Sequence, residues 1–486
     1  MAANLKLRYF GTSGIRGRTF VDVTPGLAER MARAYADVVL SGITRPLVVI
    51  GRDPRYGAES IEAAIIAGLT ASGVSVLRCG IVPTPVLLTY QRYVRADGAI
   101  LITGSHIPPD RIGLIFMEDD GAYCSDYMAF TIEQRFEEFQ DSRDGLLTVN
   151  SIGDLIDVGS VRDAKDVWEV YEDLLQSLVD LTVVKSRPFR VVVDPGNGTA
   201  AQFFSAYLGR LGLDVTAIND YPAPLSSRLS EPIDDNLDRL KELVQPNVDL
   251  GIAFDLDADR VNFVVPTKDG EGRFVNANVM GAFMLRELLE SGRTGQVVLP
   301  INTSNIVGEV LEQYGIEPIY CKIGQPGTIE QVKKLPKPLY SFEESGKAYF
   351  LSEGLLWTDG LLMALQVLEV MARKDKSLEE LVSDLPQYYS LTRKVNIPDH
   401  LVAKVRKKLP PFMRGQTFEN EKSRVDLDGV RVDFTDRSWL LVRPSGTEPK
   451  IRVVADAKTQ ERAEVLLDRG ETAVQALLAE LGQQSQ

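Results

Sequence analysis

The chain has 486 residues, more than one hydrophobic core usually supports, and typical domain sizes predict about three to five domains. Hydrophobic residues make up 44% and charged residues 25%, which is typical of a soluble globular protein and excludes a disordered or fibrous one. The formal net charge of -14 argues against nucleic acid or an anionic membrane as a partner, because those partners bind clustered lysine and arginine. No apolar stretch is long enough for a signal peptide or a membrane helix, so we expect a cytoplasmic protein.

A strand, a helix and a second strand follow one another three times along the chain. The three copies begin at Leu47, Phe189 and Gln296. Their strands are runs of Val, Ile and Leu without polar alternation, which is typical of strands covered on both faces. Helical connections between such strands imply mostly parallel pairing with right-handed crossovers.

The pattern changes after about Leu391. The segments RVDLDGVRVDFTD and SWLLVRPSGTEPKIRVVAD resemble hairpin strands, and a long helix is predicted from about Gln460 to Leu481. The predicted fold is therefore α/β, with three similar mixed or parallel α/β domains and a smaller α+β domain at the C-terminus. The predicted domain ranges are 1–160, 161–268, 269–384 and 385–486.

Ser105 follows the first of four strands that end in candidate functional loops. In α/β domains, ligands bind at loops that follow strands. Here an apolar strand beginning at Gly98 leads into a loop stiffened by Pro108 and Pro109. A serine in a turn is a common hydrogen-bonding residue, so this loop by itself is more typical of an ordinary turn.

Three carboxylates on alternate residues follow the apolar run from Val248 to Phe254. They are Asp255, Asp257 and Asp259. Hard oxygen ligands at this spacing suit Mg²⁺, and carboxylates so close together repel one another unless a cation compensates them. A calcium EF-hand is excluded, because the loop lacks the required glycine and glutamate. A solvated acidic turn is the alternative.

The third loop, EESGK, contains Glu343, Ser345 and Lys347. A carboxylate, a hydroxyl and an ammonium within five residues could bind sugar hydroxyls, which need both acceptors and donors. An ordinary exposed turn explains the same residues equally well.

The fourth loop, RPSGTEP, contains an arginine, two hydroxyls and a glycine that opens the backbone. These residues are Arg443, Ser445, Gly446 and Thr447. Together they form a set of donors that suits a phosphate group.

These four loops in this order, with GTSGIRG at residues 11–17, resemble the α-D-phosphohexomutase superfamily over almost the whole chain. The superfamily contains phosphoglucomutases, phosphomannomutases and phosphoglucosamine mutases. The resemblance implies three similar α/β domains and a distinct fourth domain around a central cleft. This agrees with the repeat seen in the sequence.

The resemblance implies an enzyme that interconverts the 1-phosphate and 6-phosphate forms of a hexose such as glucose or mannose. The reaction would use a phosphoserine, a bisphosphorylated intermediate, one Mg²⁺ per chain and a sugar bisphosphate activator. A phosphoglucosamine mutase or a phosphopentomutase would use the same chemistry, and a non-catalytic sugar-phosphate-binding relative is the alternative of another class. The expected partner is the phosphosugar, and the chain would be a monomer or a homodimer.

The resemblance also implies roles for individual residues. Ser105 would be the phosphorylated nucleophile and, through its phosphate, a ligand of the metal that the three aspartates bind. Arg16 and His106 would lie beside the phosphoserine, and Arg260 beside the metal loop, among the substrate-binding residues. Glu343, Ser345 and Lys347 would contact the sugar, and Arg443, Ser445, Gly446 and Thr447 would hold the substrate's own phosphate.

The serine loop departs from the usual pattern of the superfamily. Ile107 replaces an amide, and Ile115 replaces a lysine that is usually credited with general-base or electrostatic work. Lys347 stands where many relatives have histidine, so it is the leading candidate for the base. Arg111 and His106 are weaker candidates.

Overall fold

The computed structural model describes residues 7–11, 14–141, 159–445 and 449–483. The chain divides into two compact units. The first comprises Met1–Asn276 and Ser345–Leu381, and the second comprises Ala277–Glu344 and Val382–Gln486. Among the described residues, no helix has both the length and the apolar character needed to cross a membrane.

A seven-stranded mixed sheet forms the N-terminal part of the first unit. Its strands are β1 (Phe10–Gly11), β2 (Gly14–Arg18), β3 (Leu47–Arg52), β4 (Ser75–Ile81), β5 (Gly98–Ile102), β6 (Arg111–Met117) and β7 (Val161–Asp163), in the order β1-β2-β6-β5-β3-β4-β7. Its helices are α1 (Pro25–Val39), α2 (Ala58–Ala71), α3 (Thr84–Val94) and α4 (Asp126–Asp141). Strand β3 is parallel to both β4 and β5, so the carboxyl ends of β3 and β5 adjoin.

A five-stranded sheet follows in the same unit. Helices α5 (Val167–Leu178) and α6 (Leu181–Lys185) precede it, and its remaining elements are β8 (Arg190–Asp194), α7 (Phe203–Arg210), β9 (Asp214–Ala217), α8 (Asp238–Leu243), β10 (Leu250–Phe254), β11 (Val261–Val265) and β12 (Arg273–Val275). The strand order is β12-β11-β10-β8-β9, and β8 is parallel to β9 and β10. Every residue of β10 is buried, as its unbroken apolar run predicts.

The second unit begins with the third copy of the repeat. It consists of α9 (Ala277–Glu290), β13 (Gln296–Pro300), α10 (Asn305–Gln313), β14 (Ile319–Cys321), α11 (Gln325–Val332) and β15 (Pro338–Glu343). Strand β13 is parallel to β14 and to β15. The chain then returns to the first unit with β16 (Lys347–Tyr349), α12 (Gly360–Lys374) and α13 (Leu378–Val382), of which only Val382 belongs to the second unit.

An antiparallel sheet and two long helices form the C-terminal part of the second unit. They are β17 (Tyr389–Asn396), α14 (Val402–Gly415), β18 (Glu421–Asp426), β19 (Val430–Phe434), β20 (Trp439–Pro444), β21 (Lys450–Ala457) and α15 (Gln460–Gln483), with strand order β17-β21-β20-β19-β18. Apolar residues of both helices, such as Leu409 and Leu466, share one core with the strands. Three parallel strand–helix–strand units and an α+β C-terminal part confirm the predicted fold class, whereas the domain boundaries at 160, 268 and 384 stay predictions.

Candidate active site

Ser105 lies in a buried loop just beyond the carboxyl end of β5. Its backbone has a φ of 48°, in the left-handed region that non-glycine residues seldom adopt. The residue is only 2% exposed. Its Oγ donates a hydrogen bond to Asp255 Oδ2 at 2.9 Å and lies 3.3 Å from His106 Nδ1. The hydroxyl therefore points at the aspartate loop that follows β10, 150 residues later in the sequence.

The three aspartates of that loop form a cluster that fits a divalent cation. One carboxylate oxygen from each of Asp255, Asp257 and Asp259 lies within 4.8 Å of the others, and all three residues are buried. Asp257 Oδ1 and Asp259 Oδ1 have no hydrogen-bond partner among the described residues. Buried carboxylate oxygens without donors cost free energy, and Mg²⁺ accepts this kind of hard oxygen ligand. The donor set therefore suits Mg²⁺.

The aspartates differ in their pKa values because they face different charges. Burial, together with the charges of Asp257 and Asp259, raises the pKa of Asp255 well above its usual range. Burial and the charge of Asp259 likewise raise the pKa of Asp257. Burial also acts to raise the pKa of Asp259, but the charges of Lys347 and Arg260 outweigh it, and that pKa lies below its usual value.

Two cations contact the aspartate cluster directly. Arg260 Nε lies 3.2 Å from Asp255 Oδ2, and Lys347 Nζ lies 2.5 Å from Asp259 Oδ2. Arg260 is held on its other side by Glu231, 3.1 Å from NH1. These contacts offset part of the mutual repulsion of the aspartates.

His106 is neutral in this environment. Burial and the neighbouring charges, with Arg260 the strongest, hold the pKa of the imidazole far below its usual value. Arg260 NH2 lies 2.9 Å from His106 Nδ1, and a guanidinium can only donate, so Nδ1 is the acceptor. His106 therefore orients Arg260 beside Ser105, and a group with so low a pKa is poorly suited to accept a proton at neutral pH.

Arg16 reaches the same cluster from strand β2, which β6 separates from β5 in the sheet. It is paired across the sheet with Gly113 of β6, and its side chain lies against that glycine. Burial and the charge of Arg260 lower the pKa of Arg16, whereas Asp257 and Asp259 act to raise it. A guanidinium stays protonated under such a shift, so Arg16 adds a fixed positive charge to the site.

The remaining predicted residues lie on both units. Ser345, like Lys347, is a half-buried residue of the first unit, whereas Glu343 ends β15 in the second unit. Arg443 and Ser445 of the RPSGTEP loop also belong to the second unit. Gly446 and Thr447 lie outside the described residues.

The RPSGTEP loop joins the antiparallel strands β20 and β21. Arg443 NH2 pairs with Asp428 at 2.8 Å, and Arg406 NH2 donates to the backbone oxygen of Ser445 at 3.0 Å. Arg443 lies directly opposite Arg452 in the pairing of the two strands. Like charges in that arrangement repel each other, and a bound anion would relieve the repulsion.

Sequence reasoning did not identify several residues that build these sites. They are Asp53, Arg55, Thr84, Glu231 and Arg452. The motif GRDPR, which contains the first two, starts in the last two residues of β3 and continues beyond its carboxyl end, and β3 is the parallel neighbour of β5. Polar residues after two adjacent parallel strands meet at one sheet edge, so this signal was present in the sequence. Thr84 Oγ1 donates to Asp257 Oδ2 at 3.2 Å. Thr84 and Glu231 had no comparable local signal.

The first turn of α12 packs against the backbone of the aspartate loop. The backbone N–H of Gly360 donates to Ala258 O at 3.2 Å, and a Cβ at Gly360 would lie 2.8 Å from Arg260 O. Asp359 caps this helix, because its Oδ1 accepts from Leu362 N at 2.9 Å. The same oxygen accepts from Tyr171 OH at 2.7 Å.

The buried carboxyl of Asp359 is expected to make folding stability depend on pH. Burial raises its pKa to about 6, from an ordinary value of 3.8. The folded state therefore holds an extra proton between these values, and the contribution to the free energy of unfolding decreases as pH rises through about 6. At about 1.4 kcal/mol per unit, the change is of the order of 3 kcal/mol or less.

Asp359→Asn keeps an acceptor for Leu362 and Tyr171 but cannot titrate. Urea denaturation from pH 4 to pH 7 should show the variant gaining stability relative to the wild-type chain as pH rises. A constant difference between the two proteins at every pH would show that Asp359 does not titrate in this range.

Models of the phosphoglucomutase/phosphomannomutase family match the chain in four consecutive segments. Alpha/beta/alpha domains I, II and III match residues 7–143, 169–270 and 276–389, and the C-terminal domain matches residues 394–470. The matched segments therefore extend over most of the chain.

Relatives resemble the chain over nearly its whole length. It is 31% identical over 472 residues to a Thermococcus kodakarensis protein named phosphoglucomutase/phosphomannomutase, covering 95% of this chain and 97% of that protein. It is 31% identical over 471 residues to the phosphoglucosamine mutase of Limosilactobacillus reuteri, covering 96% and 97%.

A crystal structure of a phosphoglucomutase/phosphomannomutase family protein from Burkholderia thailandensis has the same fold. Its TM-score is 0.79 at 23% identity, with 97% of this chain and 98% of that chain covered. The four matched domains and the relatives identical at 31% show that the chain belongs to the phosphoglucomutase/phosphomannomutase family of α-D-phosphohexomutases, which are intramolecular phosphotransferases.

Proposed function

We propose that the chain interconverts the 1-phosphate and 6-phosphate forms of a hexose, with Ser105 as the phosphorylated residue. The observation that carries this proposal is the buried hydrogen bond of 2.9 Å between Ser105 Oγ and Asp255 Oδ2. It places a hydroxyl beside a carboxylate cluster that suits a divalent cation and is flanked by Arg16 and Arg260. Phosphoryl transfer depends on such positioning and charge stabilisation.

Asp255, Asp257 and Asp259 would hold Mg²⁺ together with the phosphate on Ser105. When bound, Mg²⁺ would supply a positive charge that stabilises the transferring phosphoryl group. The protein's own contribution is to keep three carboxylates together, which Arg260 and Lys347 do by pairing with Asp255 and Asp259. Neutral His106 keeps Arg260 turned toward Ser105.

The reaction would consist of two transfers. In the first, the phosphorus–Oγ bond of phospho-Ser105 breaks while a bond forms between phosphorus and a free hydroxyl oxygen of the hexose phosphate. The proton of that hydroxyl passes to a base, and a bisphosphorylated sugar results. After the sugar turns around, its other phosphate returns to Ser105 Oγ, and the proton returns to the sugar oxygen that has lost its phosphate.

The RPSGTEP and EESGK loops would bind the part of the substrate that does not react. Arg443 and Ser445, with Gly446 and Thr447, are proposed to hold the substrate's own phosphate, and Arg452 lies opposite Arg443 on the adjoining strand. Glu343 and Ser345 are proposed to bind sugar hydroxyls. The RPSGTEP loop would bind either phosphate in turn, because the two transfers differ only in which end of the sugar meets Ser105.

Lys347 is our candidate for the proton acceptor, since Ile115 occupies the usual lysine position. Its ammonium pairs with Asp259, so Lys347 would accept a proton only after it has lost its own. Lys347→Ala is expected to lower kcat by about a hundredfold, the usual contribution of a general base. Lys347→Arg keeps the positive charge near Asp259 but cannot accept a proton, so it should be equally impaired. Steady-state kinetics from pH 6 to pH 9 would check this. An arginine variant with near-normal kcat would show that Lys347 acts only as a charge.

The sugar is best identified with a panel of substrates. Glucose, mannose, glucosamine and ribose 1-phosphates would each be supplied with Mg²⁺ and glucose 1,6-bisphosphate. The proposal expects the highest kcat/KM for glucose or mannose 1-phosphate. Highest turnover of glucosamine 1-phosphate would favour the second candidate, a phosphoglucosamine mutase, which is the name of one of the relatives. Absence of turnover with every sugar, and of phosphate on Ser105, would favour a non-catalytic sugar-phosphate-binding protein.

A further inference from the structure

Arg55 is a buried arginine that holds the backbone of the Ser105 loop. It is 3% exposed and follows β3, at the sheet edge where β5 ends. Its NH2 group lies 3.3 Å from the backbone oxygen of Ser105. Its NH1 group lies 2.5 Å from Arg111 O and 3.5 Å from Pro108 O. One guanidinium thus spans the loop from its start to its end.

Asp53 fixes both this guanidinium and the beginning of the loop. Its carboxylate accepts from Arg55 Nε at 2.9 Å and from Arg55 N at 3.0 Å. It also accepts from Thr103 Oγ1 at 2.9 Å and from Gly104 N at 3.0 Å. Thr103 Oγ1 in turn accepts from Ser105 N at 2.8 Å. The backbone on both sides of Ser105 is therefore tied to one buried ion pair.

Gly104 allows the guanidinium to approach the loop so closely. A Cβ at this position would lie 1.6 Å from Arg55 NH1 and 2.1 Å from Arg55 Cζ. Any side chain at residue 104 would therefore displace Arg55 from its present position. The observed position of the guanidinium against the Ser105 loop therefore requires both arginine at residue 55 and glycine at residue 104.

We propose that Arg55 is a positioning residue that, with Gly104, holds Ser105 in its left-handed conformation so that Oγ faces Asp255. This inference rests on the proposed function, since it assigns the arginine a role toward the phosphorylated serine. Arg55 acts through the loop backbone and through Asp53, and its charge is already balanced by that partner. The planar guanidinium of arginine can donate to several backbone carbonyl oxygens at once, as Arg55 does to those of Ser105, Pro108 and Arg111. The single ammonium group of lysine cannot replace it.

The first test compares Arg55→Lys with the wild-type chain. Intact mass would follow phosphorylation of Ser105 by glucose 1,6-bisphosphate, and steady-state kinetics would separate kcat from KM. A small displacement of a reacting group can lower the reaction rate about a hundredfold. We therefore expect both the phosphorylation rate and kcat to fall by about a hundredfold, and KM to stay within about twofold of the wild-type value. Arg52→Lys is the matched control, since Arg52 lies three residues earlier and its side chain pairs with Glu62 at 3.0 Å.

The second test is a double-mutant cycle with Gly104→Ala and Arg55→Ala. Gly104→Ala alone is expected to lower kcat at least about tenfold, because the new methyl group displaces the guanidinium. In the Arg55→Ala background the same change should alter kcat by less than about twofold, since the group it displaces is gone. Circular dichroism would confirm that each variant is folded.

Independent, multiplicative effects of the two substitutions would overturn the positioning role, and so would normal phosphorylation and kcat in Arg55→Lys. If the wild-type chain itself never acquires phosphate on Ser105, the proposed function fails and the positioning role fails with it. If the wild type is phosphorylated normally and the Arg55 and Gly104 variants behave like Arg52→Lys, only the positioning role is wrong.

Discussion

Ser105→Ala is expected to abolish mutase activity, lowering kcat by about a thousandfold or more. Without Oγ, no residue at this position can carry the phosphoryl group between the two ends of the sugar. The loss should leave the fold intact, because among the described residues the Ser105 hydroxyl pairs with two side chains, those of Asp255 and His106. Turnover of glucose 1-phosphate and intact mass after incubation with glucose 1,6-bisphosphate are the measurements.

The matched control for this variant is Ser160→Ala, which removes the hydroxyl of an exposed serine in the same unit. The wild type and this control should gain the mass of one phosphate, and Ser105→Ala should not. A Ser105→Ala protein that retains a tenth of the wild-type kcat would overturn the phosphoserine mechanism, because the transfers would then proceed without this oxygen.

Asp257→Asn is expected to have opposite effects on metal binding and on the stability of the metal-free protein. Asp257 is buried beside two other carboxylates, and its Oδ1 has no hydrogen-bond partner among the described residues. Removing its charge should raise the free energy of unfolding without metal by about 1 kcal/mol or more, as relief of strain at a functional site commonly does. Removing a direct ligand should weaken Mg²⁺ binding by at least about a hundredfold, since even indirect ligand partners contribute ten- to a hundredfold.

Thermal unfolding with and without Mg²⁺, and calorimetric titration of Mg²⁺, would measure both effects. The wild-type Tm should rise with Mg²⁺, and the variant Tm should be higher than the wild type's in EDTA but insensitive to the metal. Asp173→Asn removes an exposed carboxylate of the same unit and should change neither quantity. Unchanged Mg²⁺ affinity in Asp257→Asn would exclude the aspartate cluster as the metal site.

The sequence by itself determined the repeated architecture and the positions of the loops. Unbroken apolar runs such as Leu250–Phe254 are typical of strands covered on both faces, and the chain places Asp255 directly after one of them. The glycine-opened RPSGTEP loop was likewise found between two predicted strands. Local patterns were sufficient to predict these strands and loops, because strand burial and loop chemistry both depend on the types of consecutive residues.

Only the tertiary structure decided how Ser105 is held and which charges surround it. The contact between Ser105 and Asp255 joins residues 150 positions apart, and Arg55 reaches the same loop from another strand. The low pKa of His106 arises from burial and from Arg260, which no local pattern near residue 106 contains. Hydrogen bonds and pKa values depend on groups brought together by folding, so the sequence predicted the candidate reacting residues whereas the structure identified their partners.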